Sequence, residues 1–402
     1  MVYTKEEVFD YIEQEDVKFI RLAFCDMFGN QKNISILPHE LERAFTDGIA
    51  FDSSAICGFG DEAKSDLFLF PIPSTLQLLS WRPSHGRVVR MFCKIKKPDG
   101  TPFEKDSRYI LEKAVEEATK QGISVFFGSE FEFYLFKTDA EGNPTKEPHD
   151  NATYMDVAPK DKGENVRREI CLTLLDMGII PESSHHEEGP GQNEVNFRYS
   201  DAINSADNAM NFITIVKVTA LHNGLYADFS PKPLANKTGN GMHINISVKS
   251  QEGKDVTAKF MAGIMTHIKE MTLFLNPCEE SYKRLGEKKA PRYITWSEQN
   301  RSQLIRIPAA KGEYQRLELR SPDPMANPYI AYALLIYAGL DGIKNNLSLP
   351  EPVDANLYTA SKHTTDGLDK LPASIEEALD IAKKSEFIRS VIPENYIEQL
   401  VI

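Results

Sequence analysis

Four short stretches of this 402-residue sequence alternate charged and apolar side chains with the period of a β-strand. In a strand, residues i, i+2 and i+4 share one face. Within Ser129–Leu135, Glu130 and Glu132 share a face, while Phe131, Phe133 and Leu135 take the other. Glu194, Asn196 and Arg198 line up in the same way in Glu194–Arg198, His243, Asn245 and Ser247 in His243–Val248, and Arg316, Glu318 and Arg320 in Arg316–Arg320. Any one such strand is most simply the solvated face of a half-exposed antiparallel sheet. Four in one chain, flanked by Gly or Pro turns, point to a face built to hold charge. Carboxylates gathered there repel one another, so cations or arginines must compensate.

The acids are Glu130, Glu132, Glu187, Glu194 and Glu318, joined by His243. Five carboxylates and one imidazole suit hard divalent ions, Mg²⁺ or Mn²⁺, better than a thiolate-bound zinc. Six ligands divide into two sites of three, with water completing each octahedron. His185-His186 reads as a pair of hydrogen-bonded structural histidines that orient the Gly/Pro-rich loop Ser184–Glu194, because no third histidine sits at ligand spacing. Arginines are also concentrated: Arg301 and Arg306 in Asn300–Pro308, Arg316 and Arg320 around Glu318, and Arg284. Planar guanidinium forks match phosphate and carboxylate oxygens. Divalent ions beside several arginines are the equipment for phosphoryl transfer from a nucleotide. There is no Walker A sequence; Thr238-Gly239-Asn240-Gly241-Met242-His243 instead lets backbone approach a ligand closely. Removing Glu318 from such a self-repelling face is expected to abolish phosphoryl transfer and to leave the fold intact.

The elements that must position these groups are legible in part. Lys plus Arg is 46 and Asp plus Glu is 59, a net charge of −13, with 41% hydrophobic residues. That is a globular composition of about two domains, and its acidity disfavours nucleic acid as a partner. No apolar run is long enough for a membrane helix, and the N-terminus lacks a signal-peptide pattern. Five scattered cysteines fit a reducing cytoplasm. The expected class is α+β. Thr4 and Glu7 make a capping box for a helix over 5–16. Strands are predicted at Val17–Cys25, Asn33–Leu37 and Arg87–Ile95. Breakers in Lys96–Pro102 divide a β-rich N-terminal domain, residues 1–100, from a domain over 101–402. Helices are predicted from Asp106 to Gln121, over Glu164–Met177, Ala202–Asn223, Thr257–Leu275 and Pro328–Asn345, and after a capping box at Ser374 and Glu377.

At this point the motifs resemble a known family. Gly128–Glu132, Ser184–Glu194, Gly239–His243, Asn300–Pro308 and Arg316–Pro328 follow the order and spacing of the type I glutamine synthetases of bacteria and archaea, over about residues 5–370. The resemblance implies a small N-terminal β-grasp-like domain, a large catalytic domain with a curved antiparallel sheet flanked by helices, and a homo-oligomeric ring, a hexamer or a stacked dodecamer, with active sites between subunits. It implies two or more Mg²⁺ or Mn²⁺ ions per site, one held by Glu132, Glu187 and Glu194 and another by Glu130, His243 and Glu318. ATP would be the co-substrate, with Glu182, Asn245, Ser247, Arg306 and Arg316 at the nucleotide. Arg284, Arg301, Arg320 and Gly239 would hold L-glutamate and the transferring phosphoryl group. Asp52, in Phe51-Asp52-Ser53-Ser54, would take a proton from ammonium in the neighbouring subunit's site. Tyr358 matches a tyrosine that some relatives adenylylate; an unmodified loop tyrosine is the plainer expectation.

Three departures from the family pattern bear, in turn, on the amine acceptor, on the contact to the amino-acid end of glutamate and on whether the ring is doubled. Lys289 stands just before Ala290-Pro291, in a shortened flap, where the family usually has a glutamate. Thr238-Gly239 replaces the usual Asn-Gly. The sequence ends at Ile402, short of the usual segment that ties two rings together. The leading reading is a cytoplasmic glutamate–ammonia ligase. The alternatives are a γ-glutamyl ligase for an organic amine, methylamine or a polyamine, and a non-catalytic regulatory paralogue.

Overall fold

The computed structural model describes residues 3–60, 62–82, 85–310, 312, 315–393 and 396–400. They form two compact units, one of Met1–Ile110, Leu175–Gly178 and Pro393–Ile402, the other of Leu111–Leu174 and Ile179–Ile392.

The first unit holds β1 (Val17–Cys25), β2 (Gln31–Ile36), β3 (Ile49–Asp52), β4 (Asp66–Pro71), β5 (Gln77–Leu78) and β6 (Arg87–Lys96). They form a mixed sheet ordered β2-β1-β6-β4-β3, with β5 on β6 and with β1 and β6 parallel. Helix α1 (Lys5–Gln14) opens with the expected box: Thr4 Oγ1 accepts from Glu7 N–H and Glu7 Oε2 from Thr4 N–H. Asp52 ends β3, exposed, its carboxylate accepting from the Ser54 hydroxyl and N–H. Those bonds hold its pKa below the usual range.

The second unit is organised around β7 (Ile123–Thr138), a strand of 16 residues. With β8 (Pro144–Pro148), β9 (Pro181–His186), β10 (Gln192–Phe197), β11 (Ser200–Asp201), β12 (Leu225–Asp228), β13 (Met242–Ser250), β14 (Trp296–Glu298), β15 (Ile305–Ile307) and β16 (Leu317–Leu319) it builds a ten-stranded sheet ordered β14-β15-β16-β13-β7-β10-β9. This sheet is mixed rather than wholly antiparallel, since β14 and β15 run parallel. Its apolar face packs on helices. Phe131 lies 5.2 Å from Phe212 of the helix Ala202–His222, and Phe127 stacks at 4.3 Å on Tyr332 of the helix Pro328–Lys344. Asn327 caps the latter helix from its side chain, with Pro328 in the first turn. The helix Thr257–Leu275 crosses Pro328–Lys344 through glycines: a Cβ on Gly263 would lie 2.0 Å from Ala338 O, and one on Gly342 2.1 Å from Lys259 O.

Three local expectations are corrected. Ser184–Glu194 is a hairpin of β9 and β10 rather than a loop, because Gly189 and Gly191 close a tight turn after Glu187. Arg198 falls outside β10 and is exposed, its N–H donating to Ile180 O. At Ser374 the box is half made: Ser374 Oγ accepts from Glu377 N–H, but Glu377 Oε2 takes the N–H of Ala373.

Candidate active site

Strand register brings the charged residues together. Across β13 and β7, His243 faces Glu130; across β7 and β10, Glu130 faces Asn196 and Glu132 faces Glu194; across β10 and β9, Glu194 faces His185. On the other side Asn245 faces Glu318, and Glu318 faces Arg306. Directly opposed residues on one face have Cβ atoms about 4.5–5.5 Å apart, so one band of charge crosses six strands, from β9 through β10, β7, β13 and β16 to β15. The face is not solvated: Glu132, Glu187, Glu194 and His243 are buried, and Glu318 and Arg320 are each 1% exposed.

Two clusters form within this band. In one, Glu130, His243 and Glu318 each bring a ligand atom within 4.8 Å of the others, with His243 Nδ1 3.6 Å from Glu130 Oε2 and 3.7 Å from Glu318 Oε1. Burial first, and then the Arg320 charge, push the His243 pKa down to about 3, so its ring is neutral and offers a lone pair. Glu318 is oriented by two guanidinium groups, from Arg306 at 2.6 Å and Arg320 at 2.5 Å. Burial would raise this acid, but the arginines hold it below the usual range.

In the other cluster, His185, Glu187 and Glu194 bring ligand atoms within 4.8 Å. Glu132 stands beside them with its Oε2 accepting from Gly241 N–H (2.8 Å) and from Gln192 Nε2 (3.4 Å). Burial and the charges of Glu187 and Glu194 push Glu132 well above the usual carboxylate range, and burial and Glu194 raise Glu187. Buried acids so destabilised call for a cation, and hard oxygen donors with one neutral imidazole fit a divalent ion. The residues able to hold metal are therefore Glu130, His243 and Glu318 on one side, and Glu187 and Glu194 with Glu132 or His185 on the other.

The two histidines have different parts. His186 is fully buried; its Nε2 meets Asp150 Oδ1 at 2.9 Å and its Nδ1 meets Glu187 O at 2.7 Å. Both partners are acceptors, so the ring donates at both nitrogens and orients the turn, as expected. His185 instead enters the acid cluster, with Nε2 3.4 Å from Glu194 Oε1. Neither its sequence position nor its spacing marked it; only the β9–β10 register does.

Beside the first cluster lies a cavity of about 330 Å³ lined by Glu130, Glu182, Asn245, Ser247 and Arg316, with Phe126 and Tyr199 at its apolar wall. Asn245 Nδ2 donates to Glu130 Oε1 at 2.8 Å, and Arg316 Nε to Asn245 Oδ1 at 2.7 Å. Four of the five residues expected at the nucleotide thus share one cavity. Arg306 does not line it and is committed to Glu318.

Arg284 is buried and donates to the carbonyls of Ser321 and Arg320. Gly239 and Gly241 must be glycines: a Cβ on Gly239 would meet Pro231 O at 2.4 Å, and one on Gly241 would meet His243 Nε2 at 2.7 Å. Arg301 is exposed on the turn between β14 and β15. Lys289 lies with its ammonium 3.6 Å from Glu188 Oε1 and 4.0 Å from Glu187 Oε2, over the Tyr154 ring at 5.1 Å. The contributions of Gln192 to Glu132 and of Tyr154 to Lys289 carry no signal in the sequence pattern, since each acts on a residue distant along the chain.

The second unit thus presents an acid-lined sheet face, a group of arginines and an adjoining cavity. The glutamine synthetase β-grasp domain matches residues 16–98 and the glutamine synthetase catalytic domain residues 104–401. A glutamine synthetase of Clostridium saccharobutylicum is 43% identical over 98% of this chain and 92% of its own length, and one of Methanosarcina mazei is 44% identical over 98% and 91%. Among solved structures, GmaS in complex with ADP superposes with a TM-score of 0.88 at 28% identity, covering 98% of this chain and 93% of that one. Plasmodium falciparum glutamine synthetase gives 0.87 at 25%, covering 99% and 94%. The chain belongs to the glutamine synthetase family, whose members are ligases that use ATP and divalent metals and form oligomers. Among the described residues no helix is long and apolar enough to cross a membrane.

Proposed function

We propose that the protein is a glutamine synthetase, joining ammonia to the γ-carboxylate of L-glutamate through a γ-glutamyl phosphate in the cytoplasm. The observation that carries this is the pair of buried acid clusters on one sheet face, with arginines at its edge and the cavity beside it. A carboxylate has no leaving group, so the γ-phosphoryl group of ATP passes to it first; ammonia then attacks the carbonyl carbon and phosphate departs. Bound Mg²⁺ or Mn²⁺, two per site, would neutralise charge on the phosphate oxygens.

In this reading Glu130, His243 and Glu318 hold one ion and Glu132, Glu187 and Glu194 the other. Glu182, Asn245, Ser247 and Arg316 bind the nucleotide, while Arg306 serves it indirectly by fixing Glu318. Arg284, through its grip on the Ser321 and Arg320 carbonyls, shapes the wall where glutamate lies against Gly239. Arg301 and Arg320 stabilise the transferring phosphoryl group. Asp52, exposed and held ionised by Ser54, takes the proton from ammonium in a neighbouring subunit of a hexameric or double ring.

A γ-glutamyl ligase for an organic amine is the second reading. It is motivated by the altered flap, where Lys289 stands in place of the usual glutamate with its ammonium beside Glu187 and Glu188, and by Thr238. An amine panel with ATP and glutamate separates the two. Phosphate release that follows ammonia supports the first; release that follows methylamine or a polyamine and ignores ammonia overturns it.

A further inference from the structure

Arg301 has a role at the transferring phosphoryl group in the reading above, and the present inference rests on that role. Yet its side chain makes no hydrogen bond or ion pair among the described residues and is exposed. A free guanidinium on a turn has many rotamers and gains little by being near a phosphate, because ordering it costs entropy at the moment of reaction. Something must fix the backbone from which it projects.

The structure shows what does. The flanking residues converge on one backbone carbonyl more than 50 residues further along the chain. Asn300 Nδ2, Ser302 Oγ and Gln303 Nε2 lie 2.9, 3.3 and 3.2 Å from Ala355 O. In return Leu357 N–H donates to Ser302 Oγ at 2.9 Å, and the Tyr358 hydroxyl donates to the carbonyl of Arg301 itself at 3.1 Å. The same segment is anchored upstream on β14, where Val353 N–H donates to Trp296 O at 2.9 Å and Ser297 Oγ bonds the Asp354 carboxylate. The far side of the turn is tied to the arginine wall by Arg320 N–H, which donates to Leu304 O at 2.9 Å.

We propose that residues 353–358 form a strap that sets the position of Arg301, with Tyr358 as the positioning residue at its end. Tyr358 is the one strap side chain bonded to Arg301, and it fixes the peptide plane from which that side chain leaves. The ring is half-buried and stands within electrostatic reach of Arg284, Arg320 and Glu318. Burial raises the phenol's pKa, which keeps it a neutral donor at physiological pH.

Tyr358→Phe retains the ring and removes the hydroxyl's bond to Arg301 O together with its interaction with the Lys289 backbone. In the full-length enzyme, with ATP, glutamate and the amine that supports turnover, kcat is expected to fall roughly 10- to 100-fold, the scale on which small misplacements of a reacting group act. KM for ATP should stay within about twofold, because the nucleotide cavity does not include the strap. A merely structural role would lower activity equally in any background. Here Tyr358→Phe is expected to have no further effect once Arg301→Ala has removed the group being positioned. Wild-type kcat in Tyr358→Phe overturns the proposal, as do losses that multiply in the double variant. An active wild type with an unaffected Tyr358→Phe sinks this inference alone; a wild type that turns over with no amine sinks the functional reading and this inference with it.

Discussion

Glu318 tests how the acid band is held together. The expectation that its removal spares the fold assumed an acid repelled by its neighbours, but Glu318 accepts from Arg306 at 2.6 Å and Arg320 at 2.5 Å while 1% exposed. Hydrogen bonds to charged groups contribute roughly 1.5–3 kcal/mol each, so two are worth about 3–6 kcal/mol. Removing one partner of a buried pair costs about 3–5 kcal/mol independently of that sum, because the other charge is stranded. Arg320, itself 1% exposed, would be that stranded charge. Glu318→Ala should therefore destabilise the metal-free protein by about 3–5 kcal/mol as well as abolish phosphoryl transfer. Glu318→Gln, which keeps an acceptor but not the charge, should cost about half as much. Urea unfolding at matched protein concentration, with chelator present, reads the difference. A Glu318→Ala protein that unfolds at the wild-type urea midpoint would refute the reasoning, whatever its activity.

The opposite sign is expected across the band. Glu132→Gln removes a charge that burial disfavours first and the neighbouring Glu187 and Glu194 repel besides, so the metal-free protein should unfold at higher urea while Mn²⁺ affinity falls; a lower midpoint contradicts this. Gly342→Ala puts a methyl group 2.1 Å from Lys259 O and should cost at least about 1–3 kcal/mol by overpacking the helix crossing, measurable by thermal unfolding. At Asp228, burial alone would raise the pKa, but bonds from Lys146 and Ser230 lower it below the usual value. A depressed carboxyl stabilises above its unfolded pKa, and that contribution is lost as pH falls through the folded value. Asp228→Asn should accordingly flatten the acid limb of the stability profile below about pH 4, and an unchanged limb removes Asp228 from the account.

Periodicity alone placed β1, the helix Thr257–Leu275 and the charged face of β7 correctly, because a strand or helix that buries one side must repeat apolar residues at its own pitch. The residue types on that face were enough to indicate divalent ions and phosphate chemistry, since hard oxygen donors and guanidinium forks have few other uses when gathered. What the sequence could not contain was adjacency. The entry of His185 into the acid cluster, the commitment of Arg306 to Glu318 instead of the cavity, and the convergence of three side chains on Ala355 O all depend on register between segments far apart in the chain. Register and loop docking are set by the whole packed sheet. Identical local patterns can therefore leave one carboxylate repelled by its neighbours, as Glu132 is, and another gripped by arginines, as Glu318 is, and only the folded chain decides between them.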